Sequence, residues 1–164
     1  MNVRSIILMF VVLLILVPVN SFAGEYFNTN FGAALGSVHF TNDLKRSRDF
    51  NGKNLGLTVY FDDVKNVVPL VDSFSLSYIH TNSFYNNSVY GFADKNLWKR
   101  GHVSLDLGVG VATGYEKDLS LAHKLGFLPL AGLRLTIYNL EVGLLPTGII
   151  EEKGVNVLTF GYRF

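Results

Sequence analysis

Between His102 and Gly114 the chain alternates strictly. Val103, Leu105, Leu107, Val109 and Val111 fall on odd positions, and Ser104, Asp106, Gly108, Gly110, Ala112 and Gly114 on even ones. Successive side chains of a strand point to opposite faces, so this pattern gives one face of large apolar groups and one of small or polar groups. A helix would wind the same apolar residues around its axis and bury none of them together. The rule recurs. Leu55, Leu57, Val59 and Phe61 stand opposite Gly56, Thr58 and Tyr60; Phe74, Leu76 and Tyr78 opposite Ser73, Ser75 and Ser77. Leu133, Leu135 and Ile137 stand opposite Gly132, Arg134 and Thr136; Leu140, Val142 and Leu144 opposite Glu141 and Gly143. Two weaker segments, 31–40 and 88–96, and the last eleven residues bring the count to eight strands.

That last segment, Gly154 to Phe164, sets Leu158, Phe160, Tyr162 and Phe164 against Val157, Thr159, Gly161 and Arg163. It resembles the closing strand of bacterial outer-membrane barrels. The other end reads as an export signal: Arg4, a 14-residue apolar run from Ile6 to Val19, then Ser21-Phe22-Ala23 with small residues at the cleavage positions. The run is shorter than the roughly 18 residues a spanning helix needs, which argues against a membrane anchor. Residues 1–23 are therefore expected to be a signal peptide and 24–164 the barrel. Without Arg4 the remaining chain carries 13 Lys+Arg against 13 Asp+Glu, a balance that argues against a nucleic-acid partner. The chain has no cysteine, hence no lipoprotein anchor and no disulfide.

Eight is the smallest common strand number for an outer-membrane barrel. The connections alternate in length, with long polar loops near 41–53, 83–88, 115–127 and 146–153. The intervening turns near 97–101 and 138–140 are short, and 62–71 is longer than its position suggests. An all-β, eight-stranded antiparallel up-and-down barrel is expected, with small residues inside, the Leu/Val/Phe face toward lipid, and the outer membrane of a Gram-negative bacterium as its location. Arg134 and Glu141 then both point inward on neighbouring strands and offer a lumen ion pair. A soluble sandwich or lipocalin-like barrel would invert the faces. A passive pore is disfavoured, because eight strands enclose little beyond side chains or one small ligand.

Four histidines, His39, His80, His102 and His123, are the only imidazoles. No metal-ligand or phosphate-loop spacing occurs, so neither a metal nor a cofactor is expected. His39 ends the first strand, and His80-Thr81-Asn82-Ser83 ends the third. In an eight-stranded meander these two ends share one rim, where a histidine beside a serine forms an acid–base or activated-nucleophile arrangement.

The residues around these points resemble the outer-membrane lipid A palmitoyltransferases. His39 with its polar loop and Asp49 to Gly56 resembles the family's catalytic-histidine loop. Asn82-Ser83 stands at its Asp-Ser pair, Tyr90-Gly91-Phe92 at its Tyr-Gly-aromatic strand, and Gly108-Val109-Gly110 with Thr113-Gly114 at its glycine-rich fifth strand. Leu128-Pro129-Leu130-Ala131 and Leu145-Pro146 resemble the prolines of its lateral gate. The resemblance runs from about Val38 to Phe164.

It implies transfer of a palmitoyl-like acyl chain from a phospholipid to lipid A by a monomeric barrel. His39 would be the general base, Ser83 the nucleophile or hydrogen-bond donor, and Asn82 the orienter. Gly91, Gly108 and Gly110 would line the acyl pocket, Gly91 setting chain length, and Pro129 and Pro146 would weaken strand pairing at the gate. Asn82 replaces the family's aspartate and cannot stabilise a histidinium by charge. No proline lies near the first two strands, so a second opening there is not expected. The competing function is a non-enzymatic barrel that binds lipid or surface components in envelope protection; it would be favoured by His39 and Ser83 lying far apart.

Overall fold

The computed structural model describes residues 28–40, 50–146 and 156–164. The expected signal peptide, most of the first long loop and the fourth long loop lie outside these residues. Eight strands close into one antiparallel barrel, each paired with its sequence neighbour and the last with the first. They are β1 (Asn28–Phe40), β2 (Gly56–Asp62), β3 (Ser73–Ile79), β4 (Ser88–Arg100), β5 (Val103–Ala112), β6 (Leu128–Ile137), β7 (Leu140–Pro146) and β8 (Asn156–Arg163). The expected architecture holds. Four boundaries move by three residues or more: β1 begins at Asn28, β3 stops at Ile79 short of Ser83, β4 runs on to Arg100, and β6 begins at Leu128.

The alternation fixes which face is which. Leu57 is 69% exposed and Phe31 59%, whereas Ser75, Asp94 and Glu141 are buried at 6%, 4% and 7%. Large apolar groups therefore face outward and polar groups inward, the reverse of a soluble barrel. Inside, Arg134 pairs with Asp94 across β5. The expected partner, Glu141, instead accepts a hydrogen bond from the Tyr60 phenol. Register explains the correction. Glu141 lies opposite Thr136, one inward step away from Arg134, which faces Gly143. Arg163 pairs with Asp62, and its guanidinium lies 4.2 Å over the Tyr60 ring. This charged layer fills the lumen toward the short-turn end.

At that end β4–β5 turns through Gly101 (φ 58°) and His102, and β6–β7 through Tyr138 (φ 54°) and Asn139. His102 stacks on Tyr138 at 4.7 Å. The long β2–β3 connection holds a 3-10 turn, Val64–Asn66, whose Val64 is buried. At the opposite end, the expected polar loop at 115–127 contains a six-residue helix, α1 (Ser120–Leu125). Gly126 ends it in the left-handed region, its N–H bonding to the Ala122 carbonyl. Leu119 and Ala122 pack down on Ala112, Tyr115, Leu128 and Leu130, so α1 covers the barrel mouth.

Candidate functional site

His39 owes its direction to a β-bulge. Gly32 and Ala34 pair with Arg163 and Gly161, inward residues of β8, but the register slips between Ala34 and Gly36, leaving Leu35 as the extra residue. Beyond the slip Ser37 pairs with Thr159 and His39 with Val157, again inward. Without the bulge, the odd positions that carry Phe31 outward would carry His39 outward as well. Gly36 sits at φ 154°, and a Cβ there would lie 2.9 Å from the Gly52 carbonyl. The sequence holds the signal: apolar residues fall on odd positions at Phe31 and Leu35 and on even ones at Val38 and Phe40, with Gly36 at the junction.

Ser83 arrives from the loop after β3. Its hydroxyl lies 2.6 Å from His39 Nε2, with Ser37 Oγ at 3.5 Å on the same nitrogen. The two loops are clamped by Asn51, a residue to which the sequence assigned no role. Its backbone N–H donates to the Ser83 carbonyl at 3.0 Å, and its amide donates to the carbonyls of Thr81 and Asn82. Asn54 adds a 2.6 Å hydrogen bond to Ser37. Phe50 stacks on the His39 ring at 5.3 Å, and Phe84 meets Phe50 edge-on. Tyr115 continues this aromatic row, and its phenol hydrogen-bonds to that of Tyr90. Burial pushes its phenol up to about 12, so it stays a neutral donor throughout the physiological range.

Asn82 does not orient His39. Its amide oxygen accepts from the backbone N–H groups of Phe84 and Asn86, and its amide nitrogen donates to Ser88 Oγ and the Gly114 carbonyl. It is fully buried and organises the 82–86 turn. The position that sequence reasoning took for a partner of the imidazole faces away from it. His80 is exposed, His102 lies at the short-turn end, and His123 on α1 contacts the Glu116 carbonyl. Among the described residues no three metal-binding side chains cluster.

Behind Ser83 a cavity of about 170 Å³ runs down the lumen between apolar walls that include Phe92, Leu128 and Leu130, to a floor of Tyr60, Asp94, Arg134 and Glu141. Ser83 lines it; His39 sits behind Ser83. Of the three glycines, Gly108 lines the cavity. Gly110 also faces inward, but a Cβ on it would meet the Phe92 ring at 2.8 Å, so Phe92 lies across it. Gly91 faces outward: it pairs with the outward residues Leu76 and Val111, and a Cβ on it would meet nothing within 4 Å. Gly91 is therefore not an acyl-pocket residue. Its neighbours Tyr90 and Phe92 are the ones that line the cavity.

Pro129 and Pro146 lie on a seam. The β6–β7 ladder runs from Ile137–Leu140 to Leu133–Leu144 and stops, while β6 continues back to Leu128 on β5 and β7 continues to Pro146 on β8. Both prolines fall in the parted stretch, where each removes a ladder donor. Leu130, Leu133 and Leu145 line the cavity at this seam. A second parting occurs without prolines. The β1–β2 ladder stops at Ala34–Gly56, although β1 continues to Phe40 on β8. There the bulge and the Ser37 N–H to Gly52 carbonyl bond, 2.9 Å, replace the ladder. Compared with protein families, with curated proteins and with solved structures, the chain finds no match in any of the three.

Proposed function

We propose that the chain is an outer-membrane acyltransferase that moves a fatty acyl group from a phospholipid to lipid A or a related lipid acceptor. The carrying observation is the 2.6 Å contact between His39 Nε2 and Ser83 Oγ at the head of an apolar lumen cavity. The outward apolar belt supports the membrane setting. From Phe31 to Phe40 on β1 it covers about 30 Å of strand, or about 23 Å along the axis at the usual tilt.

Ser83 faces the cavity, so it is the group that meets the donor ester. Its oxygen attacks the acyl carbonyl while its proton passes to His39 Nε2. His39 then protonates the departing lysophospholipid oxygen. In the second half the acceptor hydroxyl gives its proton to His39 and attacks the acyl-Ser83 carbonyl, and the proton returns to Ser83. The seam between β6 and β7, lined by leucines, gives the tail a sideways path from the bilayer. A cavity of about 150 Å³ holds a six-carbon ring. By the same ratio 170 Å³ takes about seven carbons. The geometry thus favours a short acyl group, or a palmitoyl tail that leaves its far half in the seam.

Mass spectrometry of lipid A from cells expressing the chain tests this, with His39→Ala and Ser83→Ala as controls. Added acyl mass from the unaltered chain alone is expected. No added mass, or equal addition by all three proteins, refutes it.

A further inference from the structure

The connection from β2 to β3 carries an apolar run, Val67-Val68-Pro69-Leu70-Val71, between the carboxylates of Asp62 and Asp63 and that of Asp72. The fold does not bury this run. Val64 lies beneath the turn at 4% exposure, whereas Val67 is 60% exposed and Leu70 82%, the highest value for a large apolar side chain among the described residues. Backbone bonds hold the display. The Val64 N–H donates to the Asp72 carbonyl at 3.2 Å and closes the connection on itself. The Val67 and Val68 N–H groups donate to the Val64 carbonyl at 2.8 and 2.9 Å, and that of Val71 donates to the Val68 carbonyl at 3.0 Å.

The run leaves the barrel at the edge of the outward apolar belt. Asp62 pairs with Ser73, and the pair before it, Phe61 with Phe74, is the last outward one on β2 and β3. Asp72 is tied to the neighbouring strand: its N–H donates to the Asp94 carbonyl, and its carboxylate accepts from the Asn96 N–H, both at 2.9 Å. Lys95, between those two residues, faces outward beside Leu107, and its ammonium lies 2.9 Å from the Asp72 carboxylate. A lysine on a lipid-facing surface carries its charge to the membrane boundary, so Asp72 marks that boundary. Trp98 and Tyr138, 50% and 70% exposed, stand at the same end, as the aromatic girdle of a barrel does. Lys65, also exposed, offers the run a cation for lipid phosphates.

We propose that the β2–β3 connection is an interfacial foot, with Val67, Pro69 and Leu70 seated in the headgroup–acyl boundary of the phospholipid leaflet on the short-turn side. The inference rests on the membrane reading of the outward belt and continues that surface onto a loop. A second copy of the chain fits the patch poorly, since three side chains fall well short of the roughly 1,200 Å² that a stable protein interface buries. Lipid needs no such area, because each apolar group adds its own share of burial. The foot fixes the depth of the barrel from the short-turn end and so the level of His39 and Ser83 at the other.

The chain has no cysteine, so single cysteines carrying a nitroxide report depth in the full barrel refolded into phospholipid vesicles. Leu70→Cys and Val67→Cys read the foot, Leu57→Cys the belt and Lys99→Cys the water beyond it. The readout is the ratio of collisions with oxygen, which concentrates in lipid, to collisions with a water-soluble nickel complex. A label about 5–10 Å below the lipid surface should give Leu70→Cys and Val67→Cys a ratio several times that of Lys99→Cys. Foot ratios equal to that of Lys99→Cys, with Leu57→Cys high, overturn the foot and leave the membrane reading standing. Foot labels shielded from both colliders overturn it in favour of a second copy of the chain. A Leu57→Cys ratio no higher than that of Lys99→Cys refutes the membrane reading, and the foot with it.

Discussion

The charged floor of the cavity gives a prediction that does not depend on any activity. Arg134 and Asp94 form a lumen pair whose side chains are 18% and 4% exposed. Glu141 is buried beside them, and the Arg134 guanidinium also lies 5.5 Å from the Tyr60 ring. Arg134→Met keeps the side-chain volume and removes the cation paired with Asp94. Breaking a buried pair from one side costs about 3–5 kcal/mol; the residual exposure of Arg134 places the cost near the lower figure. With a urea slope of about 2 kcal/mol per molar, the unfolding midpoint falls by about 1.5 M. Adding Asp94→Leu removes the stranded carboxylate and should return at least half of that loss, since apolar replacement of a whole buried pair is near neutral. Urea unfolding of the barrel in lipid vesicles, followed by tryptophan fluorescence from Trp98, measures both variants. A single-variant shift under about 0.3 M, or a double variant that falls as far as two independent losses, would show that the pair is not what balances the floor.

Other outcomes follow from the same geometry. His39→Ala and Ser83→Ala should each reduce acyl transfer to lipid A by about 10²–10⁴-fold, and the double variant should be no worse than either alone, because the two act as a unit. Gly91→Met should leave the transferred chain length unchanged, since it projects outward. Gly108→Met adds about four water-sized groups, roughly 120 Å³, to a cavity of about 170 Å³ and should exclude the acyl chain; equal chain-length profiles from both variants would refute the assignment of faces. Tyr115, held up to about 12 by burial, stabilises the fold through its neutral form. That contribution is complete below the unfolded value near 10 and fades as pH rises from there through 12. Alkaline unfolding above about pH 10 should therefore weaken in Tyr115→Phe, by comparison of midpoints at pH 8 and pH 11.

Much of the barrel was legible because period-two alternation is a local property that neighbouring residues state together. Eight strands, their order, the closure of β8 on β1 and the inward polar face all follow from it. The meeting of His39 and Ser83 followed from topology, since the ends of the first and third strands share a rim. What local pattern does not carry is a change of phase. The bulge at Leu35 reverses parity within one strand, and it is why a residue on the odd face of Phe31 comes to point at Ser83. Asn82 was misread for a related reason. Its orienting role came from the resemblance to the family's Asp-Ser pair, whereas β3 ends at Ile79 and the turn sends the two side chains to different partners.

The cavity has its own signature, visible as a failure of the rule that small residues face the lumen. On β5 the rule holds throughout, from Ser104 through Gly108 and Gly110 to Ala112. On β4 it fails at Tyr90 and Phe92, and on β6 at Leu128 and Leu130, each of which lines the cavity. The failures face the compliant stretch: Phe92 pairs with Gly110, and Gly110 with Leu130. Large groups can turn inward on β4 and β6 because the strand between them gives up its side chains. An apolar volume is thereby set in a lumen that is otherwise polar, next to Ser83 and its contact with the His39 imidazole. Gly110 therefore makes the pocket without lining it, and a side chain there would meet the Gly91 carbonyl at 2.2 Å and the Phe92 ring at 2.8 Å, forcing β4 to shift before it touches any ligand.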